Sequence, residues 1–156
     1  MHRKIQALAL AGVLCILVLL YGCDRKVVQY SYNQTYPNVV KIEVFRYNYG
    51  SKSDEDATTL ITMLDLEKGK ALLKDIAELP CYKHWGDFPL GSYGDIILYI
   101  TYANGEAEVV GNVNSASVNT NGEWYIKGYY FDNKPWSEVL TKYIDKELVP
   151  ELDKYL

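Results

Sequence analysis

The sequence predicts an α+β domain whose mainly antiparallel sheet carries two helices packed on one face. Stretches of alternating apolar and polar residues recur along the chain, and Asn-Gly pairs at 104–105 and 121–122 separate some of them. Only two segments carry apolar residues at helical spacing. Because strands and helices do not alternate, as they would around a parallel sheet, the predicted order is β-β-α-β-β-β-β-α.

The first two strands are predicted on either side of a polar loop at 48–56. Residues 39–47 place apolar side chains on one face and charged side chains on the other, namely Val40, Ile42 and Val44 against Lys41 and Glu43. Residues 58–64, TTLITML, are rich in β-branched side chains and predict the returning strand.

The first helix is predicted to begin after Asp65 and to end before Pro80. Glu67 in its first turn suits the positive end of the helix dipole. The apolar residues of this segment form one stripe: Leu66, Leu72, Leu73, Ile76 and Leu79. Residues 81–94, CYKHWGDFPLGSYG, are then predicted to form an irregular aromatic loop.

The strongest local signal is Asn104-Gly105 between the runs DIILYITY and AEVVGNV. Asn-Gly between two such runs is typical of a two-residue type I′ hairpin turn. With these two residues as the loop, the register pairs Ile100 with Val109 and places Glu108 on the opposite face.

A second hairpin is predicted at Asn121-Gly122, between SVNT and a strand EWYIKGYYF at 123–131. The alternating side chains of this strand form two sets, Tyr125, Tyr129 and Phe131 on one face and Trp124, Ile126 and Tyr130 on the other. Whichever set the helices leave uncovered is a candidate interaction surface.

The final helix is predicted to have Pro135 in its first turn and to end before Pro150. Its apolar residues recur at helical spacing: Trp136, Val139, Leu140, Tyr143, Ile144 and Leu148.

The N-terminus has the layout of a secretory signal. Arg3 and Lys4 form a basic start, and an apolar run from 7 to 20 follows, close to the usual length of a signal core. Because a membrane span takes roughly 20 apolar residues, cleavage is favoured, with an uncleaved anchor helix as the alternative.

The segment Leu20-Tyr21-Gly22-Cys23 resembles the lipobox of bacterial lipoproteins, although Tyr21 is bulkier than the usual residue there. The resemblance implies cleavage before Cys23 and a diacylglycerol on its thiol, within a palmitate-type anchor that holds the protein at the cell membrane, outside the cytoplasm. It divides the chain into a signal peptide at 1–22, a tether at 23–37 and a single domain at 38–156. The tether contains at most one short strand. The domain loosely resembles small lipoproteins of Gram-positive bacteria, a likeness that names no activity.

Charge and motifs exclude several classes of function. Loss of Arg3 and Lys4 with the signal leaves 14 basic against 20 acidic residues, a net charge of −6. An acidic domain binds nucleic acid poorly, so no nucleic-acid partner is expected, and the lipid must hold the domain at the membrane. Neither the glycine-rich dinucleotide fingerprint nor the P-loop motif occurs, and no cofactor is expected.

The cysteines and histidines leave little for catalysis. Cys15 lies in the signal and Cys23 carries the lipid, so Cys81 and His84 are the only such residues left in the domain. Two ligands do not make a His/Cys zinc site, so no metal is predicted. The alternative is a thiol enzyme in which Cys81 and His84 act together and Lys83 lowers the thiol pKa.

The aromatic loop is the candidate binding site. Tyr82, Trp85, Phe88 and Tyr93 form a candidate platform for a glycan or a peptide, because loops carry function more often than core strands. The alternative is that these rings cap the end of the core.

Two acidic sets are weaker candidates. Asp54, Glu55 and Asp56 offer calcium ligands, but their spacing does not match an EF-hand loop. The carboxyl groups that could act as an acid/base pair are Asp87, Asp95 and Glu106.

These observations favour a lipid-anchored, non-enzymatic protein that binds a protein or an envelope polymer, or acts as an accessory subunit. The alternatives are the thiol enzyme and an immunity or inhibitor lipoprotein that blocks an enzyme with its sheet face.

Overall fold

The computed structural model describes residues 26–48, 57–83 and 94–156. In this part of the chain, nine strands form two antiparallel sheets, and two α-helices pack against the larger sheet. The predicted α+β class is confirmed. The strands are β1 (Val27–Val28), β2 (Val39–Tyr47), β3 (Thr58–Met63), β4 (Cys81–Lys83), β5 (Ile96–Tyr102), β6 (Ala107–Gly111), β7 (Ser115–Val118), β8 (Trp124–Ile126) and β9 (Tyr129–Phe131). The helices are α1 (Leu66–Ala77) and α2 (Asn133–Tyr143), and 3-10 turns cover Tyr36–Asn38, Lys146–Leu148 and Pro150–Tyr155.

The larger sheet has six strands in the order β3-β2-β5-β6-β7-β8, and the smaller has three in the order β1-β4-β9. The core lies between α1, α2 and one face of the larger sheet. Both helices supply apolar residues to it, and β2 and β5 supply the opposing layer: Leu72, Leu73, Ile76, Trp136, Val139 and Leu140 against Ile42, Val44, Ile96, Leu98 and Ile100.

Helix α1 begins and packs largely as its sequence predicts. The Asp65 carboxylate accepts a hydrogen bond from the Lys68 amide at 2.9 Å, which caps the first turn. A Cβ atom at Gly69 would lie 2.4 Å from Cδ1 of Ile42, so this glycine lets the helix rest directly on β2. Leu66, predicted to lie in the apolar stripe, is exposed instead.

A bulge changes the face of the first residues of β2. The register with β5 shifts between Val39 and Lys41, so Val39 takes the buried position that was predicted for Val40. Val40 is 52% exposed.

The hairpin between β5 and β6 forms, but its predicted register is wrong by one residue. Ile100 pairs with Glu108, not with Val109. Gly105 has a φ of 86°, whereas Asn104 does not have a positive φ, so a type I′ turn is excluded. The Gly105 amide donates to the Tyr102 carbonyl at 3.0 Å, which makes a three-residue loop of a type I turn followed by a left-handed glycine. This extra loop residue turns Glu108 onto the core face.

The predicted strand at 123–131 is two strands. β8 pairs with β7 in the larger sheet, and β9 pairs with β4 in the smaller one. The chain changes sheet at Lys127-Gly128, where Gly128 has a φ of 69° that other residues rarely adopt. The start of the predicted aromatic loop is accordingly a strand, β4.

The final helix is shorter than predicted. α2 ends at Tyr143, and Asp145 starts a separate 3-10 turn by accepting a hydrogen bond from the Glu147 amide at 3.1 Å. Asp side chains favour such local bonds over continued helix. Leu148, predicted to lie on the apolar stripe, is exposed. No helix in the described ranges has the length and apolar content needed to cross a membrane.

Candidate functional site

Tyr82 is the one residue of the predicted aromatic platform that the structure describes. Its ring stacks on that of Tyr130 at 5.3 Å between centroids, and its hydroxyl donates to Asp132 at 3.2 Å. Trp85, Phe88 and Tyr93 lie outside the described residues, as does Cys23, the predicted lipidation site.

Cys81 has the surroundings of a core residue. It is fully buried in β4, and burial raises the pKa of its thiol to about 11. A nucleophilic cysteine needs the opposite, an accessible sulfur with a lowered pKa. The structure thus gives the thiol-enzyme alternative no support at Cys81, and His84 lies outside the described residues.

The two described acid/base candidates lie at opposite ends of β5. Asp95 comes directly before this strand, and Glu106 follows the turn that ends it. Each already has a partner, since the Tyr155 hydroxyl donates to Asp95 at 2.9 Å and the Gln34 amide donates to Glu106 at 2.7 Å. Asp54, Glu55, Asp56 and Asp87 lie outside the described residues.

Neither of the two predicted faces of residues 123–131 is exposed as a whole. Phe131 is buried and Tyr129 packs against the core, so these two do not form the exposed patch. All three residues of β8 project large side chains into solvent: Trp124 is 51% exposed, Tyr125 54% and Ile126 37%. β8 is the outermost strand of the larger sheet, and it pairs on one side with β7.

A buried polar cluster surrounds Glu108, which is fully buried on the core face. Its carboxyl group forms an ion pair with Lys127 and accepts a hydrogen bond from the Tyr30 hydroxyl. It also accepts from the Tyr102 hydroxyl at 2.7 Å and from the Asn33 amide at 2.9 Å. A buried carboxyl group is tolerable only with such partners, because an unpaired one loses its hydration without compensation.

This cluster attaches the N-terminal segment to the sheet. Tyr30 and the Asn33 amide both bind Glu108, and the Lys127 ammonium group also donates to the Ser31 carbonyl at 2.6 Å. The same ammonium group lies 4.8 Å from the centre of the Tyr30 ring. Residues 27–34, which the sequence assigned to a tether, are thus packed against the domain, with Val27 and Val28 paired to β4.

Burial changes the acidity of the tyrosines in and beside this cluster. Desolvation raises the pKa of Tyr30 and of Tyr102 well above the ordinary value, and the charge of Glu108 raises both further. Desolvation also raises the pKa of Tyr32, whose buried hydroxyl has no hydrogen-bond partner among the described residues.

The attached segment forms one wall of a pocket of about 430 Å³. We name it the tyrosine pocket: residues 29–32 and 34–37 line it, and Ala77 of α1 lines the other side. The rings of Tyr30 and Tyr32 meet edge to face at 4.8 Å, and those of Tyr32 and Tyr36 at 5.8 Å. None of the lining residues is charged.

The sequence did not indicate the Glu108 cluster or the tyrosine pocket. The alternation of Val28, Tyr30 and Tyr32 was the available signal, since tyrosines at alternate positions favour a half-buried extended segment. This alternation did not indicate what the tyrosines would bind, because the predicted register placed Glu108 on the wrong face of its strand.

In the three described ranges, no group of three or more His, Cys, Asp or Glu side chains is arranged to hold a metal ion. Comparison of the chain with protein-family models, curated proteins and solved structures gives no match.

Proposed function

We propose that this protein is a lipid-anchored, extracytoplasmic binding protein without enzymatic activity, and that it docks a protein partner on edge strand β8. The observation that carries the proposal is the exposure of Trp124, Tyr125 and Ile126 on that strand. Trp and Tyr are enriched among the residues that dominate protein interfaces.

The edge position adds a second mode of contact. β8 is the last strand of the larger sheet, the position at which an extended partner segment adds to a sheet. Three large side chains on a three-residue strand then contribute apolar contact on both faces. This combination fits a protein partner better than a soluble small molecule, which needs a concave site.

The lipid anchor, proposed from the Leu20–Cys23 segment, would hold the start of the folded domain near the bilayer. β1 begins only four positions after Cys23. A fully extended chain covers at most 3.3–3.6 Å per residue, so the connection reaches no more than about 14 Å. A partner that is itself in or on the membrane is thereby favoured.

The partner is tested by photo-crosslinking in the native membrane. A photoreactive phenylalanine analogue at Tyr125 is expected to crosslink to one defined protein, and the same analogue at Leu148, another exposed position, is not. The double variant Trp124→Ala/Ile126→Ala should abolish the crosslink, whereas Val40→Ala, which removes an equally exposed side chain elsewhere, should retain it. A crosslink that survives the double variant, or that forms equally from Leu148, would contradict docking on β8.

A further inference from the structure

We propose that the tyrosine pocket binds an uncharged glycan, a ligand separate from the partner of β8. At about 430 Å³ the pocket falls within the range of roughly 300–1,000 Å³ that is usual for small-molecule sites. It is also distinct in place, since it lies between the N-terminal segment and the end of α1.

The neutral wall of the pocket favours an uncharged ligand. Every residue that lines the pocket is neutral. A charged ligand would lose hydration on entry and gain no opposite charge in return, so an uncharged ligand is favoured.

The wall combines rings with polar groups of both kinds. Tyr36 is half-exposed and packs edge to face on Tyr32, so part of its ring system is available to a ligand. The faces of aromatic rings carry partial negative charge, which attracts the C–H groups on one side of a pyranose. Beside these rings, the exposed side chains of Gln29 and Thr35 form no hydrogen bond with the described residues, and each offers a donor and an acceptor.

This donor and acceptor pattern distinguishes a glycan from a proline-rich peptide, the other common ligand of tyrosine-lined grooves. Each sugar hydroxyl both donates and accepts, so it can satisfy the amide of Gln29 and the hydroxyls of Ser31 and Thr35. A proline-rich segment offers carbonyl acceptors but few N–H donors. It would therefore form fewer hydrogen bonds with this wall than a sugar does.

The pocket is also preformed. Glu108 and Lys127 fix the segment at Tyr30, Ser31 and Asn33, and Glu106 accepts from the Gln34 amide at 2.7 Å. Because these contacts order the wall before a ligand arrives, binding need not spend free energy on ordering it.

The first test is titration of the purified full-length protein, held in a detergent without a sugar headgroup, with chitotriose, cellotriose, maltotriose and decaproline. At least one trisaccharide is expected to bind saturably. Tyr36→Ala, which removes the ring, and Ala77→Trp, which fills the opposite side, should each raise its Kd by about tenfold or more. Tyr99→Ala is the matched control: it removes a partly exposed tyrosine of β5 that does not line the pocket and should leave the Kd unchanged.

Three results would overturn the proposal: no trisaccharide binds and galactosyl diacylglycerol does not protect residues 29–37, the Kd is the same in Tyr36→Ala and Ala77→Trp as in the unaltered protein, or decaproline alone binds. If the analogue at Tyr125 forms no crosslink while β8 is otherwise unaltered, and sugar binding is retained, the docking proposal is refuted and this one is left intact.

A second arm separates a free glycan from the sugar headgroup of a lipid. Amide hydrogen exchange of residues 29–37 is compared in phosphatidylglycerol vesicles with and without galactosyl diacylglycerol. Protection that appears only with the glycolipid assigns a headgroup ligand. Equal exchange in both vesicles, together with trisaccharide binding in solution, assigns a free glycan.

Discussion

At the scale of single residues, Glu108 has the largest effect on how this chain folds. It is a fully buried acidic residue whose partners come from distant parts of the chain, Tyr30 and Lys127 among them. Local sequence could not predict this burial, because a glutamate next to a hairpin turn is usually solvated. Cys81, the sulfur of the thiol-enzyme alternative, is likewise fully buried.

Removal of the hydroxyl group should affect the free energy of unfolding differently at Tyr30 and at Tyr32. Tyr30→Phe removes a hydrogen bond to a buried carboxyl group and should lower the free energy of unfolding by about 1–3 kcal/mol. Tyr32→Phe removes a buried hydroxyl that has no partner among the described residues, so stability should be unchanged or higher. Urea unfolding of the two variants measures the difference, and an equal loss in both would contradict the geometry of the cluster.

Lys127→Met should be more harmful than Tyr30→Phe. It leaves the Glu108 carboxyl group buried without its ion-pair partner, at a cost of about 3–5 kcal/mol. The control is Lys134→Met, which breaks an exposed ion pair with Glu138 and should change the unfolding free energy little. If the two methionine variants were equally stable, the Glu108 cluster would not hold the segment as described.

The raised tyrosine pKa values predict loss of stability at alkaline pH. Tyr30 and Tyr102 have pKa values above the unfolded value of about 10, so the folded state holds these protons more tightly. Their contribution is fully present below about pH 10 and is lost as the pH rises above it, because only the unfolded state then releases the protons. Unfolding free energies measured between pH 8 and 11 should fall above pH 10, and Tyr30→Phe should reduce the slope. An unchanged slope in that variant would exclude Tyr30 as a source.

At the scale of elements, helix signals predicted structure better than turn signals did. Asp65 and the stripe of α1 specify a helix from contacts within a few residues, and they predicted its start correctly. The Asn-Gly pairs located both hairpins, but the two-residue type I′ turn predicted at 104–105 is wrong, because an Asn-Gly pair also fits a three-residue loop. That single-residue difference decided which face Glu108 occupies.

Gly105 offers a direct test of the turn. At its φ of 86°, a Cβ atom is strained, so Gly105→Ala should lower the unfolding free energy by about 1–2 kcal/mol. Gly105→Asn should cost less, because asparagine tolerates left-handed conformations. Asn104→Gly should not raise the unfolding free energy, since the φ of Asn104 is not positive. A larger loss for Gly105→Asn than for Gly105→Ala would contradict the three-residue turn.

At the scale of the whole molecule, the N-terminal segment joins the proposed anchor, the pocket and the sheet. Sequence reasoning separated a tether at 23–37 from a domain at 38–156, because residues 24–37 are polar and lack a long apolar pattern. The contacts of Tyr30, Asn33 and Gln34 are with residues more than 70 positions away, so no local pattern could indicate them. With the proposed anchor at Cys23, the lipid is attached almost directly to the folded domain.

The most direct test of this account is the mass of the N-terminal peptide of the protein purified from its native membrane. The account predicts a mature chain that begins at Cys23 and carries a diacylglycerol thioether, and it predicts that Cys23→Ala is not lipidated. A native chain that still begins at Met1, or a Cys23 with an unmodified thiol, would contradict it.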